Sequence, residues 1–403
     1  MSTPAASRKS IPRFTIDLAT PPRERYHEVV QVFGSRMRSL TGLIECVLSI
    51  FIAFTWLRLI VLGLFKICVC RVYDDEENEE IQGISAASGV PLYLLVGLNN
   101  LLDCLLGCTS GAVPVSLSKT SQRTGDGTRL LHFRTLDWCM DELRDLLVVL
   151  EFVDSASGNP SRVIARSITY AGFVGSLTMI RPGLSISLNY RASHDCPSGQ
   201  LHWHQLMVLL GKRKSIGSIV RSFMFHPPDP NDEAEHVAGS LPISRFVKQA
   251  TTLTSIPSAP CYLILCDGRE AAVITKDYVT GTVRSATEFI AQTNHDLDDH
   301  KEDAAQKYGT TRQGRNTLIR SSLIVEGHVE ESTDRLYCLQ RKWDRLVRNF
   351  RAKSSAVPVA ATPTISESTL KRWLSDYPTL NESNHYTSIL DPATGKIRWL
   401  KRG

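Results

Sequence analysis

Apolar and polar positions change rhythm several times along the chain. Residues 11–17 (Ile-Pro-Arg-Phe-Thr-Ile-Asp) alternate in part, as a strand does. Residues 24–40 carry the spacing of an amphipathic helix, and an apolar stretch, Cys46 to Phe65, follows. The acidic run at 73–80 reads as a linker. Pro91 suits the first position of a further apolar helix ending near Gly107. From Cys108 the period becomes two, with strand-like runs at 108–117, 129–136, 146–154, 162–170, 173–180 and 184–191. Gly125-Asp126-Gly127, Ser157-Gly158-Asn159-Pro160 and Pro182-Gly183 supply turns between them.

Two helical stretches, 201–211 and 215–224, come next, and 226–240 reads as a surface insertion. Strands return at 261–266, 270–276 and 287–293. The polar region 296–331 buries little and reads as a long loop. Over 334–350, Leu336, Leu339, Trp343, Leu346 and Phe350 fall on one helical face. A linker (354–365), a helix (366–376) and two short strands (384–389 and 396–400) complete the chain. Helices, antiparallel-type strands, helices and strands again make an α+β protein. No repeat is visible, and neither GxGxxG nor a phosphate loop follows a strand.

Cys46–Phe65 contains one charge, Arg58, and thirteen Leu, Ile, Val or Phe among its twenty residues. At roughly −0.3 to −0.6 kcal/mol each, these outweigh the roughly +2.5 to +3.5 of one Arg, so the segment is apolar enough to span a bilayer. Basic residues before it and Asp74-Asp75-Glu76-Glu77 after it would put the N-terminus in the cytosol. The other reading is a helix that is buried or docks on a membrane surface. The strand at 11–17 separates the two, because a strand needs its sheet on its own side of any membrane. No apolar stretch follows Arg8, Lys9 and Arg13, so no cleavable signal is evident.

The composition narrows the functions further. Apolar residues make up 42% of the 403 and charged residues 22%, which excludes wholesale disorder. Lys and Arg number 46 against 41 Asp and Glu; the excess of five, without a basic stripe, argues against nucleic acid as a partner. Ten Cys show no CxxC pair, so neither a disulfide scaffold nor a structural zinc site is expected. His202-Trp203-His204 has ligand-like spacing but lacks a third ligand. Neither a metal nor a cofactor is expected. Asn381-Glu382-Ser383 is a lone glycosylation sequon.

Chemistry concentrates where a helix gives way to the first strand, at Gly107-Cys108-Thr109-Ser110, and on the next strand, His132-Phe133-Arg134-Thr135-Leu136-Asp137. A hairpin would bring Cys108 near Arg134 and Asp137, and a cation beside a thiol favours the nucleophilic thiolate. Taken alone, the same residues also read as a small core Cys and a structural Arg–Asp pair.

These blocks, followed by Ser-Ile-Thr-Tyr-Ala-Gly-Phe-Val-Gly-Ser-Leu-Thr (167–178), Arg-Pro-Gly-Leu-Ser-Ile-Ser-Leu-Asn-Tyr-Arg (181–191) and Gln-Thr-Asn-His-Asp (292–296), resemble the acid ceramidase family in content and order. That family includes the N-acylethanolamine-hydrolysing acid amidases. Residues 15–28, Gly83–Cys108 and Leu370–Leu400 also look similar, so the resemblance covers most of the chain.

The resemblance implies a four-layer αββα N-terminal-nucleophile hydrolase. An α-chain, 1–107, would be cut from a catalytic β-chain, 108–403, at Gly107–Cys108, and the two would stay associated. It assigns Cys108 as nucleophile, Arg134 to the thiolate and substrate carbonyl, Asp137 to the freed α-amine, Asn294 to the oxyanion and Arg335 as the second family Arg. Asn189 and Tyr190 fall on the substrate-binding block. The implied activity is hydrolysis of a ceramide-like lipid amide to a fatty acid and a sphingoid amine at a membrane surface, in a lysosome- or vacuole-like or other endomembrane compartment.

Three departures stand out: Tyr190 replaces the family's usual Glu, and the stretches 116–128 and 294–335 are extended. The rival readings are an inactive lipid-binding homologue, an N-acylethanolamine amidase, and a Cys amidase of other amides.

Overall fold

The computed structural model describes residues 10–42, 54–101, 107–117, 127–138, 140–191, 194, 196–226, 244–297, 322–353 and 362–403. Cys46–Ala53, the insertion at 227–243, residues 118–126 of the polar extension, residues 298–321 and most of the 354–365 linker lie outside it.

In chain order the elements are β1 (Arg13–Asp17), α1 (His27–Met37), α2 (Thr55–Cys68), α3 (Asp75–Ser88), α4 (Leu92–Leu101), β2 (Gly107–Ser116) and β3 (Thr128–Asp137). Then come α5 (Asp141–Arg144), β4 (Leu147–Val153), β5 (Ala165–Tyr170), β6 (Thr178–Arg181), β7 (Leu184–Tyr190), α6 (Ser198–Leu209) and α7 (Ile216–Phe225). The chain continues with α8 (Arg245–Thr252), β8 (Cys261–Cys266), β9 (Ala271–Lys276), β10 (Gly281–Ala286) and β11 (Ile290–Gln292). It ends with α9 (Ser322–Lys353), β12 (Ile365–Ser366), α10 (Glu367–Ser375), β13 (Asn384–Asp391) and β14 (Lys396–Arg402).

Two sheets result. The first runs β1-β4-β5-β6-β7-β8-β9-β10, parallel only at β1–β4; the second runs β11-β2-β3-β13-β14, with β12 beside the far end of β2. Ala112 and Leu130 of the second pack on Tyr262, Ile264 and Val273 of the first, so the sheets lie face to face. Helices α1, α3, α4, α7 and α8 cover the outer face of the first sheet. Leu336, Leu339 and Trp343 of α9, with Leu370 and Leu374 of α10, cover Val113, Val115, Leu131 and Phe133 of the second. This is an α+β, four-layer αββα arrangement. Because both faces of the central strands are covered, β2 is buried from Cys108 to Val115.

The structure differs from the sequence reading at four places. The acidic run is the start of α3 and not a linker: Asp74 caps the helix by accepting from Glu77 N at 3.2 Å, and Asp75, Glu76 and Glu77 fill its first turn. Helix α9 begins at Ser322, inside the stretch read as loop. The run 173–180 yields only β6, because residues 171–177 form a buried loop that turns at Gly172 (φ +93°). Strand β10 was not anticipated; its polar residues alternate along an exposed edge.

Strand β1 pairs with β4 from Arg13↔Val149 to Asp17↔Val153. The chain on either side of the apolar segment therefore belongs to one body, which rules out the single span. Among the described residues no helix is long and apolar enough to cross a membrane.

The buried end of α3 has a pH signature. Burial raises the Glu77 carboxyl to about 7, an effect that Arg221 opposes and Asp74 and Glu80 reinforce. The folded chain thus holds a proton that the unfolded chain releases near 4.5. This contribution is complete below that lower value and is lost as pH rises through 7, about 3 kcal/mol in all. Glu77→Gln should therefore melt higher than wild type at pH 8 and equally at pH 4. Parallel melting curves at both pH values would refute the assignment.

Candidate active site

Side chains alternate along β2 and β3, and the site uses both faces at one end of the pair. Gly107 sits opposite Asp137, Cys108 opposite Leu136 and Ser110 opposite Arg134. Cys108, Ser110 and Arg134 point between the sheets. Thr109 and Asp137 point to the α9 side, where Arg335 meets both. Arg134 and Asp137 are therefore not each other's partners; three residues apart on a strand, they project to opposite faces.

Arg134 is fully buried. Its Nη2 donates to Cys108 Sγ at 3.1 Å and to Leu188 O at 2.7 Å, and its Nη1 donates to Leu177 O. Among the described residues no carboxylate forms a salt bridge with it. A desolvated cation held only by carbonyl dipoles and a thiol favours negative charge on that sulfur or on an oxygen beside it. In the uncut chain burial still holds the Cys108 thiol above its ordinary value, with Arg134 pulling the other way. Below Arg134 on β3, His132 lies between Ser185 Oγ (2.8 Å) and Ser187 Oγ (2.9 Å). Burial and the Arg134 charge depress its pKa to about 3, so this contact between the sheets stays neutral in acid.

The Cys108 backbone N–H donates to Asn294 Oδ1 at 2.7 Å. Asn294 Nδ2 donates to Tyr190 O at 2.8 Å, and Asn294 N donates to Ser332 Oγ at 2.8 Å. Arg335 gathers the group from α9: Nη2 donates to Asn294 Oδ1 (3.2 Å), Nε donates to Thr109 Oγ1 (3.1 Å), and Nη1 lies 3.3 Å from Asp137 Oδ2. Asn384 Nδ2 donates to Asp137 Oδ1 at 3.0 Å. Burial raises the Asp137 carboxyl, while Arg335 and the Asn384 hydrogen bond pull it down.

Gly107 is packed tightly here. A Cβ on it would lie 3.1 Å from Asp137 O and 3.3 Å from Asp137 Cβ, so the 107–108 peptide bond runs against the carboxylate-bearing residue.

The structure thus brings Cys108, Arg134, Asp137, Asn294 and Arg335 together with Gly107. Asn189 is one step removed. It accepts from Ser110 Oγ at 2.8 Å and donates to Gln292 O at 3.0 Å, tying β7 to β2 and to the segment carrying Asn294. The Tyr190 carbonyl faces Asn294, and its ring packs at the border of the core. Thr109, Ser332 and Asn384 were not singled out from sequence. Ser332 and Asn384 are single residues far apart along the chain, and Thr109, although inside the Gly107–Ser110 block, carries no signal of its contact with Arg335.

His204, by contrast, is buried against Tyr278, with Arg213 Nη1 3.4 Å from its Nδ1. No cluster of three His, Cys, Asp or Glu residues able to hold a metal occurs among the described residues.

Known proteins resemble this chain over much of its length. A family profile described as the beta subunit of N-acylethanolamine-hydrolyzing acid amidase matches residues 9–64. Acid ceramidase of Bos taurus is 26% identical over 340 residues, covering 76% of this chain and 77% of that protein. The Homo sapiens acid ceramidase is 25% identical over 346 residues, with the same coverage. These matches support a relationship of the chain to the acid ceramidase and N-acylethanolamine-hydrolysing acid amidase family. An uncharacterized protein of Acanthamoeba polyphaga mimivirus, R632, is 26% identical over 226 residues, covering 55% of this chain and 61% of that one. A solved Caenorhabditis elegans N-acylethanolamine-hydrolyzing acid amidase ortholog is 15% identical, covers 70% of this chain and 93% of its own, and superposes with a TM-score of 0.44. The main-chain carbonyl of Tyr190 accepts from Asn294 Nδ2.

Proposed function

We propose that the chain is a cysteine amidohydrolase of N-acyl lipid amides, ceramide-like before ethanolamide-like, which activates itself by cleaving between Gly107 and Cys108. One observation carries the reading. A buried thiol lies 3.1 Å from a cation that lacks a carboxylate partner among the described residues, and the nitrogen of the same Cys is held at 2.7 Å by Asn294.

In the first step Sγ attacks the Gly107 carbonyl carbon, the C–N bond breaks as the acyl group passes to sulfur, and the thiol proton ends on the freed Cys108 nitrogen. Water then cleaves the thioester, leaving the Gly107 carboxylate and a free α-amine on Cys108. An α-amine has an ordinary pKa of about 7.7–8.0, which suits a base beside the thiol. In turnover that amine takes the thiol proton as Sγ attacks the substrate amide, and gives it to the departing amine. Water completes the cycle by releasing the fatty acid from the thioester.

Arg134 stabilises the thiolate and the developing oxyanion. Asp137, opposite Gly107, and Arg335 orient the new terminus. Asn294 Nδ2 carries two hydrogens, one directed at Tyr190 O, so a role at the oxyanion calls on the other. Asn189 and Tyr190 border the acyl site. The segments 1–107 and 108–403 stay together after the cut, since β1 is part of the first sheet and Glu80 pairs with Arg221.

Phe54, Trp56, Leu59, Ile60, Leu64 and Ile67 of the α2 region are exposed and form an apolar surface suited to a membrane. Drawing an acyl chain from lipid into water costs about 0.8 kcal/mol per CH₂, which such a surface lowers. We place the protein on a membrane of an endomembrane compartment. Trp56→Asp with Ile60→Asp should abolish fatty-acid release from vesicle-borne ceramide and spare a short soluble amide. Equal loss on both substrates would refute the membrane role. Faster release from N-acylethanolamine than from ceramide would reverse the substrate order, and release from neither would favour the lipid-binding homologue.

A further inference from the structure

The loop 171–177 between β5 and β6 is buried throughout, and distant side chains meet its main-chain groups. Asn99 on α4, 4% exposed, donates from Nδ2 to Gly172 O at 2.9 Å and accepts from Val174 N at 2.8 Å. Arg221 on α7 donates to Val174 O at 2.8 Å and is itself clamped by Glu80 of α3. At the far end of the loop, Leu177 O receives both Leu188 N, at 2.9 Å, and the Arg134 guanidinium. Gly172 takes φ +93° there, with Met37 Cε 2.9 Å from where a Cβ would stand, so the turn has little room to shift.

We propose that Asn99 is a positioning residue for the Cys108–Arg134 pair. By holding both main-chain arms of the turn, it fixes where the loop delivers Leu177 O, and so where the guanidinium points. The segment upstream of residue 107 then shapes the reacting centre without touching it. This rests on the reading of Cys108 as the nucleophile. Asn99→Ala removes both loop contacts. Asn99→Asp keeps the volume and the acceptor but cannot donate to Gly172 O.

The test uses the full-length chain and follows self-cleavage, kcat, KM and the pH profile of kcat. A displaced guanidinium stabilises the thiolate less. Both variants should therefore lose about tenfold or more in self-cleavage and kcat, in line with the cost of a misplaced group of order 1 Å, at unchanged KM. The acid limb of the profile should move to higher pH. Asn100→Ala is the control. Asn100 is the next residue on α4, and it donates instead to Val208 O at 3.2 Å. Its loss should lower the melting temperature and leave the acid limb in place.

If one Asn99 variant fails to fold, the other decides. Wild-type kcat and an unmoved limb in a folded Asn99 variant would overturn the proposal, as would an equal displacement in Asn100→Ala. Cys108→Ala keeps the two questions apart. If that variant is active, the nucleophile reading falls; if it is dead while Asn99 variants match wild type, only the positioning role falls.

Discussion

Cys108→Ala should purify as one uncut chain and release fatty acid from ceramide about 10⁶-fold more slowly than wild type, the scale of loss when a covalent nucleophile is removed from another hydrolase. Both losses follow from one sulfur: the same Sγ attacks the Gly107 carbonyl during maturation and the substrate carbonyl afterwards. The fold should survive. Cys108 is fully buried on β2, and the change removes a single sulfur from a strand hydrogen-bonded on both sides. A denaturing gel, a melting curve and a fatty-acid assay on the same preparation check all three expectations. An uncut but active Cys108→Ala protein would remove the thiol from the chemistry, whereas a cut and inactive one would assign maturation to another group.

Arg335→Met should have the next largest effect, and it should act on stability and maturation together. Arg335 contacts Thr109, Asn294 and Asp137 at once. Without it, Asp137 keeps Asn384 as a hydrogen-bond donor but loses its cation. Breaking a buried pair in this way costs about 3–5 kcal/mol, part of which Asp137 escapes by taking up a proton. The variant should therefore melt well below wild type, most markedly at neutral pH, and cut itself about 10²-fold more slowly as the Asn294 carboxamide oxygen loses its Arg335 contact.

Adding Asp137→Asn to Arg335→Met removes the stranded charge. It should recover much of the lost stability and none of the cleavage. Full recovery of cleavage in the double variant would show that the pair only supports the fold.

The elements legible in the sequence are those whose periodicity reports their burial. Strands β2, β3, β4 and β7 alternate or carry continuous small and apolar runs, as strands packed between layers do. The pairing of β2 with β3 that brings Cys108 near Arg134 was legible for the same reason, while the register that separates Arg134 from Asp137 was not. At α3 the N-cap Asp74 and an acidic first turn were a helix signal, outweighed by the sheer density of charge.

The loop 171–177 misled for a different reason. Its apolar residues look like a strand, yet part of its main-chain hydrogen bonding is to Asn99 and Arg221, which no local pattern links to it. The convergence of Arg335 and Asn294 on Cys108 joins β2, the β11 end and α9 through tertiary packing. Only the ordered blocks of the family resemblance pointed to it; Thr109, Ser332 and Asn384 lay outside those blocks or carried no signal within them.

The most direct test is the terminal sequence and intact mass of the purified wild-type protein, measured beside its amidase activity. The account predicts two chains, the larger beginning with Cys-Thr-Ser-Gly at residue 108, and activity that rises in step with the cut. Fully active protein with an intact 107–108 bond would contradict it.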